Sequence, residues 1–121
     1  MELLIYERGY KVNDVIQNFR SFYYSINMKH LASDLLDKGF SPDQIANAFT
    51  TAIKVANASG IQVQKHFMPV YSGINNQIIQ DCKLSHLGYG LVLMNADVNL
   101  SVVGEFQIDV LKEYLNERFL E

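Results

Sequence analysis

Cys82 and His86 come nearest, by residue type and spacing, to a chemically reactive pair. Four residues apart on one helix, a thiol and an imidazole would share a face and could supply half of a zinc site. The other half is missing, because His30 and His66 lie far away in the sequence, and we expect each to be an ordinary satisfied or exposed side chain. A cysteine nucleophile with a histidine base would need a geometry that spacing alone does not establish. The sequence therefore predicts no catalytic residue, no metal ligand and no cofactor.

Glycine loops that cradle phosphates are also missing from the sequence. The chain contains neither the GxGxxG pattern nor the Walker pattern. Nucleotide hydrolysis has no support, and we predict a protein that is not an enzyme.

Five carboxylates at four-residue spacing form the most regular polar feature of the sequence. Like charges at this spacing weaken an isolated helix by about 0.2–0.5 kcal/mol per pair. One interpretation is the solvated outer face of an amphipathic helix. The other is an acidic ridge that docks on a basic partner surface of the kind that binds nucleic acid. The carboxylates belong to Glu105, Asp109, Glu113, Glu117 and Glu121.

Four basic residues, Arg20, Lys29, Lys54 and Lys65, are the candidates for contacts with nucleic acid. A pair of helices could place such side chains on phosphates, although ordinary solvated side chains explain them equally well. Residues 1–100 carry eight basic and eight acidic side chains, whereas residues 101–121 carry two and five. A domain that holds DNA by neutralising phosphates usually has a clear basic excess. The charge therefore does not favour DNA binding.

Length and composition predict one domain over residues 1–121. Apolar residues make up 49% and charged residues 19% of the chain, as in folded proteins. The first eleven residues, MELLIYERGYK, resemble neither a signal peptide nor a membrane span. The single cysteine, Cys82, agrees with a reducing compartment. We therefore expect a cytoplasmic protein without membrane contact.

A helix over residues 41–60 is the best-defined element that could position these side chains. Ser41 is a good N-cap, Pro42 suits the first helical position, and Gln44 completes a capping box. Gly60 is expected to end the helix. An apolar stripe at three- and four-residue spacing predicts a face that packs on a core. Its members are Ile45, Ala48, Phe49, Ala52, Ile53 and Ala56.

Before this helix, the apolar run 1–6 predicts a strand. A helical stripe predicts a helix from about Asn13, with a strand over residues 22–25 as the alternative. Asn27 is a credible cap for a short helix over residues 28–38, which Gly39 would end. Its leucines, Leu31, Leu35 and Leu36, are expected to point inward.

After it, residues 61–72 and 77–81 predict a β-hairpin with a turn at 73–76 and Pro69 at an edge position. Leucines at helical spacing predict a short buried helix over residues 83–94, followed by a polar loop at 95–99. The last helix is expected over residues 101–120. Its inward residues are predicted to be Val103, Phe106, Val110, Leu111 and Tyr114. The predicted fold is α+β and mostly helical, with a small antiparallel sheet or hairpin.

Several short motifs follow one another between Tyr23 and about Lys112. An aromatic strand leads into a helix in YYSINMKHLASDLL, and a helix ending in AxxxG precedes HF in AIKVANASGIQVQKHF. A DxxLS motif and an NxD motif follow. This order resembles the N-terminal domain of DNA-damage-inducible protein D and the BRO N-terminal domains of phage and viral antirepressor-like proteins. The motif residues are His66, Asp81, Ser85, Asn95 and Asp97.

The resemblance implies a non-enzymatic regulator of DNA transactions, of a phage, mobile-element or damage-response type, that acts on DNA or on a nucleoprotein assembly. It also implies that the motif residues are fold-defining hydrogen-bonding residues. The alternative function is a small protein-binding inhibitor or adaptor that uses the acidic C-terminal helix against a basic partner. A homodimer is a further expectation, because aromatic residues are enriched at interfaces. The tyrosines available for it are Tyr6, Tyr10, Tyr23 and Tyr24.

Overall fold

The computed structural model describes residues 12–119 of the chain. The strand expected at 1–6, together with Tyr6, Tyr10 and Glu121, lies outside the described residues. The helices are α1 (Val12–Ser25), α2 (Pro42–Ala58), α3 (His86–Met94) and α4 (Ser101–Phe119), with 3₁₀ helices at Ala32–Lys38 and Val63–Lys65. The strands are β1 (His30–Leu31), β2 (Phe67–Ile74) and β3 (Gln77–Leu84). The predicted fold class, a mostly helical α+β protein with a small antiparallel sheet, is confirmed.

Helix α2 forms as the local signals predict. The Ser41 hydroxyl accepts a hydrogen bond from the Gln44 amide at 3.1 Å, and the Gln44 side chain accepts one from the Ser41 amide at 2.8 Å. The helix ends at Ala58, and Gly60 follows with a φ of +78°, in the left-handed region that favours glycine. Its buried face consists of alanines and its flanks of larger residues, so the core can approach the helix axis closely. The buried alanines are Ala48, Ala52 and Ala56, and the partly buried flanks are Ile45, Phe49 and Ile53.

The sheet is antiparallel with the order β1-β3-β2. Strands β2 and β3 form the predicted hairpin, which pairs from Phe67 with Leu84 to Ile74 with Gln77. The first strand begins at Phe67 and not at residue 61, because residues 63–65 form a 3₁₀ helix, and residues 73 and 74 belong to the strand and not to the turn. The two turn residues, Asn75 and Asn76, have φ values of +52° and +66°. Two consecutive left-handed residues match the right-handed twist of the strands they join. Pro69 lies in β2, an edge strand, as predicted.

The helix predicted over residues 28–38 is wrong in its first part. His30 and Leu31 form strand β1, which pairs with Leu84 and Lys83 at the end of β3. Only residues from Ala32 onward are helical, in the tighter 3₁₀ form. Pairing with a strand that lies far along the chain overrides the local helical spacing, as often happens for short segments. Leu36, which was expected inside, is 42% exposed.

The helix predicted over residues 83–94 begins later than expected. Lys83 and Leu84 complete β3, and the fully buried Leu84 pairs with both Phe67 and His30. Ser85 then caps α3, and its hydroxyl accepts a hydrogen bond from the Gly88 amide at 3.0 Å.

Apolar stripes on two helices lie outside the core. Helix α1 forms, as predicted, instead of the alternative strand at 22–25, and its apolar stripe is exposed. In α4 the prediction holds for the buried Val103 and the partly buried Phe106. It is wrong for three residues further along the helix, which lie outside the buried core cluster. These are Val110, Leu111 and Tyr114, which are between 36% and 52% exposed.

Between residues 12 and 119, none of the helices combines the length and the apolar character needed to cross a membrane.

We expect Gly88→Ala to destabilise the protein by about 1–3 kcal/mol, the usual effect of overpacking. A Cβ atom at Gly88 would lie 2.6 Å from the backbone oxygen of His66, so α3 or the segment before β2 would have to move. The matched control is Gly104→Ala in α4, where a Cβ atom would meet nothing within 4 Å. This change should instead raise stability by about 0.5–1 kcal/mol, because alanine favours the helix.

Urea unfolding followed by circular dichroism measures both free energies of unfolding. Equal effects of the two substitutions would contradict the close approach of α3 to His66.

Candidate interaction surfaces

Helix α4 is attached to the body of the protein only through its first half, as far as the described residues show. Val103 is fully buried, and Phe106 packs against the core. The Gln107 side-chain amide donates a hydrogen bond to the backbone oxygen of Met94 at 2.9 Å, at the end of α3. These contacts fix the direction in which the rest of α4 leaves the core.

Every residue in the second half of α4 from Ile108 to Arg118 is exposed, and none of them belongs to the buried core. Val110 lines an apolar recess that α4 shares with Leu87 and Leu91 of α3. This part of the helix nevertheless carries several large apolar side chains at helical spacing, which is unusual for a solvated helix. They are Ile108 (51% exposed), Val110 (36%), Leu111 (52%), Tyr114 (50%) and Leu115 (41%). We call residues 108–118 the free half of α4.

The acidic residues predicted to bind a partner lie beside this apolar surface. Glu105 and Asp109 lie on one side of α4 together with Gly104, Ile108 and Lys112. The other two candidates, Glu113 and Glu117, are exposed further along the helix. The Arg118 guanidinium lies 5.1 Å from the centre of the Tyr114 ring, where a cation is attracted to the aromatic face. Carboxylates and apolar side chains therefore occupy adjoining sides of one helix.

A second surface brings together two of the four basic residues that could contact nucleic acid. Arg20 and Tyr24 of α1 line a polar groove of about 330 Å³. Lys65 lies at the same place, since its ammonium group is 5.6 Å from the centre of the Tyr24 ring. The rest of the groove is lined by hydroxyl and amide side chains, namely Gln17, Ser21, Gln62 and Gln64. We call this the basic groove.

Lys29 and Lys54 are not among the residues that line the basic groove. Lys29 is exposed just before β1, and Lys54 is exposed on α2. Of the helix pair that was expected to carry lysines, the second helix forms as α2 and carries Lys54, whereas Lys29 lies before the shortened first helix. Lys65 instead lies in the 3₁₀ helix Val63–Lys65, which contacts α1.

The motif residues His66 and Ser85 meet where β2 and α3 begin. The Ser85 hydroxyl lies 2.7 Å from His66 Nδ1, and the Ser85 amide donates to the His66 backbone oxygen at 3.0 Å. Burial lowers the pKa of His66, and the neighbouring Lys65 charge lowers it further. A neutral imidazole leaves Nδ1 able to accept the hydroxyl proton of Ser85, while Gly88 donates to the same hydroxyl. These hydrogen bonds join the backbone before β2 to the start of α3.

The other motif residues also make hydrogen bonds that join elements or end helices. Asp81 accepts from the backbone amide of Ser33 at 3.1 Å and from its hydroxyl, which ties β3 to the first 3₁₀ helix. Asn95 donates to the Leu91 backbone oxygen at the end of α3. Asp97 accepts from the Gln44 side chain at 3.2 Å, which links the loop before α4 to α2.

A cluster of His30, His86 and Tyr89 was missed by the sequence reasoning. His30 Nε2 lies 2.9 Å from His86 Nδ1, and the His30 ring stacks on Tyr89 with 4.3 Å between ring centres. The two histidines are 56 residues apart, and only the pairing of β1 with β3 brings them together. No local signal could have predicted this contact. Across residues 12–119, groups of three or more metal-ligating side chains close enough to hold an ion do not occur.

Cys82 and His86 do not share a helix face, contrary to the premise of a half zinc site. Cys82 is buried in β3, whereas His86 begins α3. Burial raises the pKa of the Cys82 thiol to about 11, and the nearby Asp81 charge acts in the same direction, against a hydrogen bond with the Met68 backbone. A thiol of this kind is a poor nucleophile at neutral pH, because the thiolate is the reactive form.

Comparisons of the chain with models of protein families, with curated proteins and with solved structures find no match. The resemblance to DNA-damage-inducible protein D and BRO N-terminal domains stays a prediction.

We expect Cys82 to react slowly with Ellman's reagent in the folded protein at pH 8. A pKa of about 11 instead of 9.0 leaves about a hundredfold less thiolate. The same chain unfolded in urea is the control, and its thiol should react at the rate of an ordinary cysteine. Equal rates in the two states would show that Cys82 is accessible and that its pKa is not raised.

Proposed function

We propose that this chain is a non-enzymatic interaction protein that binds a protein partner through the free half of α4. The observation that carries the proposal is the exposure of every residue from Ile108 to Arg118 in a helix that is also rich in large apolar side chains. Exposed contiguous apolar surface on a folded protein marks interaction sites more often than chance.

The energetics of an isolated helix support the same conclusion. A helix segment this short is only marginally stable in water without tertiary contacts. Repulsion between carboxylates four residues apart, at Asp109, Glu113 and Glu117, weakens it further. A partner that covers the apolar side chains and neutralises the carboxylates would remove both sources of instability.

The partner that fits is a protein whose apolar groove or helix is flanked by lysine and arginine. The carboxylates would pair with these basic residues at the rim, where charge complementarity raises the association rate and sets the orientation. Basic surfaces of this kind commonly bind nucleic acid. An inhibitor or adaptor acting on such a surface would regulate DNA transactions by contact with a nucleoprotein assembly.

The test uses a synthetic amphipathic helix made only of leucine and lysine, labelled for fluorescence anisotropy, with the full chain as its binding partner. We expect saturable binding that weakens by at least about tenfold in the double variant Glu113→Lys, Glu117→Lys. Leu111→Asp should weaken it as well, by removing an apolar contact. Neither change should unfold the protein, because lysines near the end of a helix interact favourably with its dipole and Leu111 is exposed.

A matched pair of reversals at exposed acidic residues elsewhere, Asp14→Lys with Asp37→Lys, is the control. It changes the net charge equally and should leave peptide binding unchanged. A leucine and glutamate peptide should not bind. Equal losses in both double variants would mean that only net charge matters, and the proposed surface would be rejected.

A second candidate function, direct contact with nucleic acid, is favoured by the basic groove. Arg20 lines the groove together with Tyr24, Gln62 and Gln64, and Lys65 lies over the Tyr24 ring. Cations around an aromatic ring are the combination that binds phosphates and stacks on unpaired bases.

Fluorescence anisotropy with single- and double-stranded oligonucleotides across a salt series tests this second function. We expect the variant Arg20→Gln, Lys65→Gln to bind more weakly and to reduce the salt slope by about 2, one for each phosphate that is no longer neutralised. Lys29→Gln with Lys54→Gln is the control, since these residues do not line the groove. An absence of binding at low salt, or an equal loss in the control, would reject the groove as a nucleic-acid site.

A further inference from the structure

Helix α1 separates its apolar and polar residues onto opposite sides. At 100° per residue, its apolar stripe covers about a third of the helix circumference. The stripe consists of Val15, Ile16, Phe19, Phe22, Tyr23 and Ile26, the last just beyond the helix end. We call it the α1 face.

The polar side of α1, not the apolar side, faces the body of the protein. Gln17, Arg20 and Tyr24 line the basic groove against Gln62 and Gln64. The α1 face points away from these residues, and its side chains are between 44% and 65% exposed. An amphipathic helix normally packs its apolar side on its own core. Residues 12–119 therefore leave the α1 face uncovered.

The exposed area is large enough for a stable interface. An aromatic side chain has a surface of about 150–250 Å². Phe19 is 65% exposed, Phe22 63% and Tyr23 56%. Each of them therefore leaves about 100–150 Å² accessible to solvent. With the three aliphatic residues, the face exposes roughly 500–600 Å², at the upper end for a monomer. Pairing two such faces would remove roughly 1,000 Å² from water, which meets the lower limit for a specific interface.

The spacing of five members of the α1 face is symmetric about Phe19. Ile16 and Phe22 lie three residues on either side of it, and Val15 and Tyr23 lie four residues on either side. A sequence of contacts that reads the same in both directions suits a two-fold interface, in which the same patch meets itself in antiparallel orientation. In this arrangement Phe19 packs on Phe19, Ile16 meets Phe22 and Val15 meets Tyr23.

Charge also favours a second copy over a charged partner. The described part of α1 carries one acidic and one basic side chain, Asp14 and Arg20, and neither belongs to the α1 face. Interface cores are depleted of charge and enriched in aromatic residues. The free half of α4, in contrast, carries carboxylates that would repel a second copy of themselves.

We propose that the protein is a homodimer in which the α1 faces of two copies pack antiparallel about a two-fold axis at Phe19. The basic groove lies on the other side of α1 and stays open in this dimer. The free half of α4 does not take part.

Light scattering after size exclusion, over a concentration series of the full chain, gives the first measurement. We expect a mass near twice the 13.8 kDa of the chain, and a monomer for Phe19→Asp. Gln17→Glu on the polar side of the same helix and Leu111→Asp in α4 are the controls, and both should remain dimeric. Because Leu111→Asp is expected to impair peptide binding while leaving the dimer intact, failure of one proposal is distinguishable from failure of the other.

Cysteine crosslinking provides a second measurement that does not depend on the stability of Phe19→Asp. Under mild oxidation Phe19→Cys should form a disulfide-linked dimer, because the two-fold axis passes beside it. Ile26→Cys should not, since antiparallel packing carries the two Ile26 positions to opposite ends. Equal crosslinking at both positions would overturn the antiparallel arrangement. A wild-type chain that is monomeric at every concentration would overturn the dimer. The occupant of the α1 face would then be sought in residues 1–11 or in a lipid surface.

Discussion

The alanine face of α2 is the constraint on which the rest of the fold depends. Ala48, Ala52 and Ala56 are at most 2% exposed, and α3 packs closely against this helix. Small side chains allow the two helices and the sheet to approach, but they also keep the core small. Phe40 and Phe67 are the aromatic residues that the described core buries. Three aromatic side chains of α1, together with Tyr71 of β2 and Tyr114 of α4, are left exposed, where they are available to partners.

Elements with local signals were the ones that the sequence could predict. The capping box of α2 involves residues three apart, and the hairpin turn lies between the strands it joins, so neighbouring residues determine both. The start of α3 and strand β1 depend instead on the pairing of His30 with Leu84, more than fifty residues away. Leucines at spacing 84, 87 and 91 fit a helix equally well whether or not Leu84 belongs to a strand. The pattern alone does not distinguish the two cases.

The candidate surfaces were predictable in composition but not in position. The acidic residues of α4 and the basic residues of the groove were identified by type, whereas the meeting of Arg20 with Lys65 depends on the packing of α1. An apolar stripe indicates that a helix buries one side, but it does not say against what. In this chain the side chains of Val103 and Phe106 pack in the core, whereas those of Phe19 and Leu111 are exposed. The side of α1 that contacts the body could be learned only from the assembled structure.

The main core cluster, including its partly buried members, lies between Ala32 and Phe106. Helix α1 and the free half of α4 therefore flank a body that does not rely on their apolar side chains. Substitutions on these two helices are largely uncoupled from core stability, since distant sites without shared contacts act independently. Selection can thus alter which molecules the protein recognises without first having to compensate for reduced folding stability. Descendants of one ancestral chain could share the body and differ in their binding helices.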